Sequence, residues 1–254
     1  MRIALFGGSF DPPHSGHIGI ASAAVERLHL DRVLMAPVGR QPLKRGQVQS
    51  PYEDRLVMVQ LACTNHPPLA ASAIDAPRMD GRYNYTYDTL QHLRETLPPG
   101  DELFCLVGAD SLQTLRHWHC AAEALMLAQW IVAARPGFTL EALETLLPAG
   151  VHADRPERGD GWLRVSLTRA ILTGPHPSTA SQPAASQTAA TQSTATQIAD
   201  SLQGTLWLLP DLHYEVSATE LRAALADHSA GIPQPVIDPQ VAEYAREHHL
   251  YDHA

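Results

Sequence analysis

The chain has 254 residues, of which 44% are hydrophobic and 18% charged, and this size and composition fit one substantial core in a single α/β domain. A formal charge of -9 argues against a broad surface for nucleic acid or anionic membrane, so neither is an expected partner. Three cysteines without a C-x-x-C pair indicate reduced thiols and no thiolate metal site. The first residues are predicted to form a strand and not a signal peptide. No segment has the ~20 consecutive apolar residues that a membrane span needs. These features predict a cytoplasmic protein.

The opening segment predicts a strand, a glycine turn and a helix start. An apolar run at residues 3–6 precedes the glycines at 7–8, and a helix is expected from near Ser15. Glycines let backbone N–H groups approach an anion closely, and a helix start adds partial positive charge. His14 and His17 lie three residues apart, so both imidazoles are expected on one side of the first helical turn. The segment therefore predicts a phosphate site.

Two common phosphate loops are excluded by their residues. Lys44, the chain's single lysine, stands between Leu43 and Arg45, so no Gly-Lys-Ser/Thr of a P-loop exists. The dinucleotide-binding fingerprint requires a second glycine where this chain has Ser9.

The following segments alternate between helical and strand patterns. Ser50-Pro51-Tyr52-Glu53 suggests an N-cap serine, a proline in the first turn and a capping-box glutamate. Helices are predicted at 18–28, 51–64, 87–96 and 121–127, and strands at 32–38, 69–74, 103–107 and 130–133. Strands alternating with helices predict a Rossmann-like, doubly wound parallel sheet with its ligands at the carboxyl ends of the strands.

A Ser/Thr/Ala/Gln-rich stretch at 175–201 has too few large apolar residues to form a core, so it is predicted to be a disordered insertion. A strand resumes at Leu206–Leu209, and a closing helix is predicted near 241–248. The expected organisation is a single domain made of residues 1–174 and 202–254.

The segment Gly7–His17 resembles the G-G-x-F-D-P-x-H-x-G-H signature of the nucleotidyltransferase superfamily, and the whole chain resembles bacterial nicotinate-nucleotide adenylyltransferases. Val216–Arg222 resembles the family's I-S-[SA]-T-x-[IL]-R, and Gly108 and Asp110 resemble its G-x-D. The resemblance implies catalytic roles for His14, His17 and Arg222. It implies ATP binding by Gly7, Gly8, Ser9, Phe10, His17, Gly108, Asp110, Ser217, Thr219 and Arg222.

The resemblance also implies a site for nicotinate mononucleotide. Trp118 matches the aromatic residue that stacks on the pyridine ring, and backbone N–H groups of Thr86 and His119 would bind the nicotinate carboxylate. Lys44 stands at the family's P-P-H-K lysine, although Leu43 replaces the histidine. Arg55 and Arg135 match phosphate- or ribose-binding positions, but exposed ion pairs explain either residue equally well.

The implied reaction is attack of the mononucleotide's 5′-phosphate on the α-phosphorus of ATP, with Mg²⁺ carried mainly by the ATP phosphates and no metal site on the protein. Other superfamily members that transfer AMP to phosphopantetheine or CMP to a polyol phosphate are alternatives, as is a non-catalytic nucleotide sensor. Homo-oligomerisation is left open.

Overall fold

The structure is a computed structural model. It describes residues 1–42, 49–134, 140–170, 201–212, 216–227 and 236–252. Within these ranges the strands are β1 (Arg2–Gly8), β2 (Arg32–Pro37), β3 (Leu69–Ala71), β4 (Glu102–Gly108), β5 (Gln129–Ala133), β6 (Val151–Ala153), β7 (Glu157–Gly159), β8 (Trp162–Ala170) and β9 (Ser201–Leu209).

The helices in the same ranges include every predicted one, and a 3₁₀ turn at Leu115–His117 precedes α5. They are α1 (Ser15–Leu28), α2 (Tyr52–Cys63), α3 (Thr86–Thr96), α4 (Ala109–Thr114), α5 (Ala121–Leu127), α6 (Leu140–Leu146), α7 (Ala218–Ala226) and α8 (Pro239–Glu247).

The strands form one sheet in the order β3-β2-β1-β4-β5-β9-β8-β6, with β7 paired to β8. The five pairings along β3-β2-β1-β4-β5-β9 are all parallel, which confirms the predicted doubly wound sheet. Strands β6, β7 and β8 form an antiparallel extension that the sequence analysis did not predict. The alternation of buried Val165 and Leu167 with partly exposed neighbours is the half-buried pattern expected of β8.

Hydrophobic clusters cover both faces of the sheet. One contains α1 and α2 residues such as Ala24 and Val59, and the opposite one contains α3 and α5 residues such as Leu90 and Leu125. A third cluster joins α2, α7 and α8 around Met58. The loop that follows β1 contacts α7 through Arg222, and the candidate site lies at this place.

The capping box predicted at Ser50 is wrong in detail. The residue before α2 is Pro51, and no side chain caps this helix. The Ser50 backbone instead bonds to two other segments: its N–H donates to Asp11 Oδ2 at 3.1 Å, and its carbonyl accepts from Arg55 Nε at 3.0 Å. Tertiary contacts with the loop after β1 therefore replace the local cap.

The predicted insertion at 175–201 lies almost wholly outside the described residues, and its last residue, Ser201, begins β9. No helix of the described residues has the length and apolar character needed to cross a membrane.

Candidate active site

Two adjoining clefts open at the carboxyl ends of the parallel strands. The first has a volume of about 620 Å³ and the second about 1100 Å³, and Ser9 and His17 line both. The shared residues mean that a group bound in one cleft can meet a group bound in the other.

The loop after β1 forms the floor of both clefts. Gly7 is exposed and Gly8 half-buried, while Phe10 is only 1% exposed and has a positive φ of 48°. A Cβ at Gly8 would lie 3.0 Å from the Phe10 ring, so a larger residue there would press on that ring. Phe10 in turn packs edge-on against the His17 ring, with the ring centroids 4.9 Å apart. Phe10 thus positions a histidine as well as the loop.

His14 and His17 lie side by side, as the sequence predicts, with ring centroids 3.7 Å apart. The His14 backbone N–H donates to His17 Nδ1 at 3.2 Å, so the proton of a neutral His17 ring is placed on Nε2. Burial lowers the pKa of the His14 imidazole to about 4, and His14 Nδ1 is buried without a hydrogen-bond partner among the described residues. The pair offers donors to an anion without carrying two fixed charges.

Arg222 reaches the first cleft from α7. Its Nη1 donates to the Asp11 backbone carbonyl at 3.0 Å and its Nη2 to Thr219 Oγ1 at 3.2 Å. Arg222 and Thr219 line this cleft together with both histidines. The structure thus brings the two predicted anion-binding segments into one cleft, although they are about 200 residues apart in sequence.

Ser217 has a helix-capping contact. It is the N-cap of α7, and its hydroxyl accepts the Glu220 N–H at 3.3 Å. Gly108 ends β4 and is the N-cap residue of α4. Neither residue is among those that line the two clefts, so their roles in ATP binding stay predictions.

The second cleft contains the residues predicted to bind the pyridine nucleotide. Trp118, Thr86 and His119 line it, and so does Asp110, which was predicted to bind ATP. Trp118 is held by a hydrogen bond from Nε1 to Thr114 Oγ1 at 3.0 Å and by packing on the core. Thr86 is the first residue of α3, so its N–H lies at a helix start.

His119 is exposed at the rim of the second cleft, and its ring lies 4.4 Å from that of Tyr85. This tilted contact with Tyr85 places the His119 ring beside the start of α3. The two predicted carboxylate contacts, at Thr86 and His119, therefore belong to the same end of this cleft.

A buried polar cluster in the second cleft was missed by the sequence analysis. Asp75 accepts from Thr89 Oγ1 at 2.9 Å and from Asn84 Nδ2 at 3.2 Å, and burial raises the pKa of its carboxyl group. Gly39 donates its N–H to the Asp75 carbonyl at 2.8 Å, and a Cβ there would lie 2.4 Å from the Pro77 nitrogen. An acid just after a predicted parallel strand was the available signal.

Arg55 does not serve either of the roles considered for it. It is only 2% exposed, and it donates to three backbone carbonyls, those of Ser9 at 2.9 Å, Val38 at 3.0 Å and Ser50 at 3.0 Å. Its guanidinium therefore joins the loop after β1 to the end of β2 and the start of α2.

Lys44 and Arg135 lie outside the described residues. Within the described part of the chain, no group of three or more His, Cys, Asp or Glu side chains is arranged to hold a metal ion.

A histidine pair facing an arginine, joined to an aromatic cleft at the end of a doubly wound sheet, defines a nucleotide-handling α/β protein. The sequence model of the cytidylyltransferase-like family matches residues 5–224. A Solibacter usitatus protein described as a probable nicotinate-nucleotide adenylyltransferase is 30% identical over 252 residues, which are 99% of this chain and 100% of that protein. A Roseiflexus relative with the same description is 40% identical over 149 residues, 58% of this chain and 73% of its own.

The chain therefore belongs to the cytidylyltransferase-like family and, within it, to the nicotinate-nucleotide adenylyltransferases. Among solved structures, the Plasmodium falciparum nicotinic acid mononucleotide adenylyltransferase complexed with NaAD shares this fold, with a TM-score of 0.63 and 14% identity. That match covers 100% of this chain and 98% of the other.

Proposed function

We infer that this enzyme transfers AMP from ATP to nicotinate mononucleotide, giving nicotinate adenine dinucleotide and pyrophosphate. The observation that carries this inference is the junction of the two clefts. Ser9 and His17 line both the cleft that contains Arg222 and the cleft that contains Trp118 and Thr86. A triphosphate in the first cleft and a pyridine nucleotide in the second would place their reacting phosphates at the shared residues.

The chemistry requires alignment more than base catalysis. A phosphate oxygen of the mononucleotide forms a bond to the α-phosphorus of ATP, while the bond from that phosphorus to the β-phosphate oxygen breaks. Because the nucleophile is already an anion, no proton has to be removed from it. The protein's task is to hold two anions in line and to stabilise the negative charge of the transition state.

Three residues of the first cleft, His14, His17 and Arg222, have a part in this scheme. The Nε2–H of His17 donates a hydrogen bond to the transferred phosphoryl group. The His14 ring lies beside the His17 ring and contacts the same phosphoryl group. Arg222, oriented by the Asp11 carbonyl and Thr219, stabilises the leaving pyrophosphate.

Mg²⁺ enters the scheme as part of the substrate, bound to the phosphates of ATP. The described residues provide no cluster of carboxylates that would form a cage for the ion. The nucleotide's phosphate oxygens are hard ligands of the kind that Mg²⁺ prefers.

Selection of the acid over the amide would rest on the backbone N–H groups of Thr86 and His119. Lysine and arginine are absent from the described residues that line the second cleft, whereas the start of α3 at Thr86 and the rim residue His119 are present. A backbone N–H at a helix start favours a carboxylate over an amide oxygen.

The test is pyrophosphate release with Mg-ATP, measured side by side with nicotinate mononucleotide and nicotinamide mononucleotide. We expect the wild-type protein, which has both histidines, to turn over and to prefer nicotinate mononucleotide clearly over nicotinamide mononucleotide. Comparable rates with the two would contradict the carboxylate argument. Absence of turnover with either, alongside measurable ATP binding, would favour another transferase of the family or a nucleotide sensor.

A further inference from the structure

Asp11 is the point at which four segments of the protein meet. The residue lies in the loop after β1 and is 8% exposed. Its Oδ1 accepts from the Tyr251 hydroxyl at 2.9 Å, and its Oδ2 accepts the Ser50 N–H at 3.1 Å. Its backbone carbonyl accepts from Arg222 Nη1 at 3.0 Å. Displacement of Asp11 would therefore disturb the loop that precedes the histidines and the orientation of Arg222 together.

Tyr251 is well placed to hold Asp11 in this position. It follows α8, is 3% exposed, and packs in the cluster formed by α2, α7 and α8. Its hydroxyl also lies 3.8 Å from Met58 Sδ. Burial, reinforced by the nearby Asp11 carboxylate, raises the pKa of the Tyr251 phenol far above its ordinary range. The hydroxyl thus remains a proton donor at every pH at which the enzyme would be assayed.

We propose that Tyr251 is a positioning residue for nucleotidyl transfer. Its hydrogen bond fixes Asp11, so that the loop after β1 and Arg222 are correctly placed on the two sides of the first cleft. The proposal rests on the function inferred above. Tyr251 does not line either cleft, so it acts through Asp11 and not on the substrates.

The contacts indicate which kinetic constants depend on Tyr251. Asp11, both histidines and Arg222 line the first cleft, which would hold the triphosphate. Trp118 and Thr86 line only the second cleft, which would hold the pyridine ring. Loss of the hydroxyl should therefore weaken the alignment of ATP and leave the binding of the pyridine ring unchanged.

The test is Tyr251→Phe, compared with Tyr244→Phe. Tyr244 also lies in the C-terminal part of the chain and donates its hydroxyl to an aspartate at 2.8 Å, but this aspartate, Asp54, lies on α2 and not in the loop after β1. The two substitutions remove the same kind of hydrogen bond. Steady-state constants for ATP and for nicotinate mononucleotide are measured on the full chain, together with melting temperatures.

For Tyr251→Phe we expect kcat to fall about 10-fold, within the roughly 100-fold that a 1 Å misplacement can cost. We also expect KM for ATP to rise several-fold, with KM for the mononucleotide unchanged. Tyr244→Phe should retain wild-type constants. A partly unfolded sample would lower kcat without changing either KM, so the rise in KM for ATP identifies a positioning role.

If Tyr251→Phe and Tyr244→Phe have the same constants as the wild type, the proposal is wrong even though the function stands. If Tyr251→Phe lowers only kcat, in proportion to its loss of folded protein, its role is structural and the proposal is also wrong. Should the variant be unfolded at the assay temperature, the constants are measured at a lower temperature where its circular dichroism matches that of the wild type. A wild-type protein without transferase activity would contradict the proposed function itself.

Discussion

The two histidines differ in their surroundings although they are three residues apart on one helix. His17 Nδ1 accepts the His14 backbone N–H, which leaves Nε2 as the donor of the neutral ring. The His14 ring is buried enough to be neutral at pH 7, with a pKa of about 4. His17 is therefore the better oriented of the two, because its tautomer is set by a backbone contact.

Replacement of His17 by alanine should lower kcat by about 10²- to 10³-fold, since it removes one oriented donor to the transition state. The melting temperature should change little because His17 is only partly buried. His92→Ala, at an exposed site on α3, is the control and should retain wild-type turnover. Near wild-type turnover by folded His17→Ala would exclude this residue from catalysis.

His14 should make the folded protein sensitive to acid. Its pKa is about 4 in the folded state and 6.5 as an ordinary value, so the unfolded chain binds the proton first as the pH falls. Above pH 6.5 this penalty is absent, and it grows as the pH falls from 6.5 to 4.

We therefore expect the wild type to lose about 2–3 kcal/mol more free energy of unfolding than His14→Asn when the pH falls from 7 to 4. Asparagine is also a good N-cap residue, so α1 should keep its start. Urea unfolding at several pH values measures the difference between the two proteins. Parallel pH profiles would show that His14 titrates normally in the folded state.

At the scale of elements, Arg55 joins the loop after β1, the end of β2 and the start of α2. Arg55→Met should destabilise the protein by about 3 kcal/mol, because the carbonyls of Ser9, Val38 and Ser50 lose their donor in a largely buried place. Arg94→Met on the exposed face of α3 is the matched control and should change stability by less than about 0.5 kcal/mol.

Urea unfolding measures both arginine variants. If Arg55→Met had the same free energy of unfolding as the wild type, water would replace the Arg55 guanidinium without cost. The expected loss of stability would show that hydrogen bonds from Arg55 hold the loop after β1 in place.

Elements with local signals were predicted accurately. The helix expected at 121–127 is observed as Ala121–Leu127, because its apolar spacing is sufficient to define it. The cap expected at Ser50 failed because Asp11 and Arg55 compete for the Ser50 backbone, and neither is near it in sequence. Strand β8 carried the right alternation at Leu163, Val165 and Leu167 but was not recognised.

The site residues show the same difference between local signals and contacts of residues far apart in the sequence. His14 and His17 could be predicted because one helical turn brings them together. The resemblance supplied Arg222, whereas Tyr251 gave no signal that a single sequence could reveal, and the position of Asp75 just after a predicted strand was a signal that was not used. Their importance depends on contacts with Asp11 and Asn84 that only the folded chain forms.

At the scale of the whole molecule, the register of β8 and β9 makes a sharp prediction about the low-complexity segment. Ala170 and Ser201 are directly paired across the two antiparallel strands, so residues 171–200 leave and rejoin the sheet at adjacent positions. A two-residue turn is long enough to connect such a pair, and Asn-Gly is the sequence that best suits it.

Replacement of residues 171–200 by Asn-Gly should therefore leave kcat and both KM values unchanged. The melting temperature should stay the same or rise, because a shorter loop costs less entropy to close. A matched control replaces 167–204 by the same turn, which also removes the last four ladder pairs and the buried Leu167. That control should melt at a lower temperature than the wild type. If the first variant lost activity while remaining folded, residues 171–200 would have to contribute to the site, and a core that ends at Ala170 and resumes at Ser201 would be an incomplete description of the enzyme.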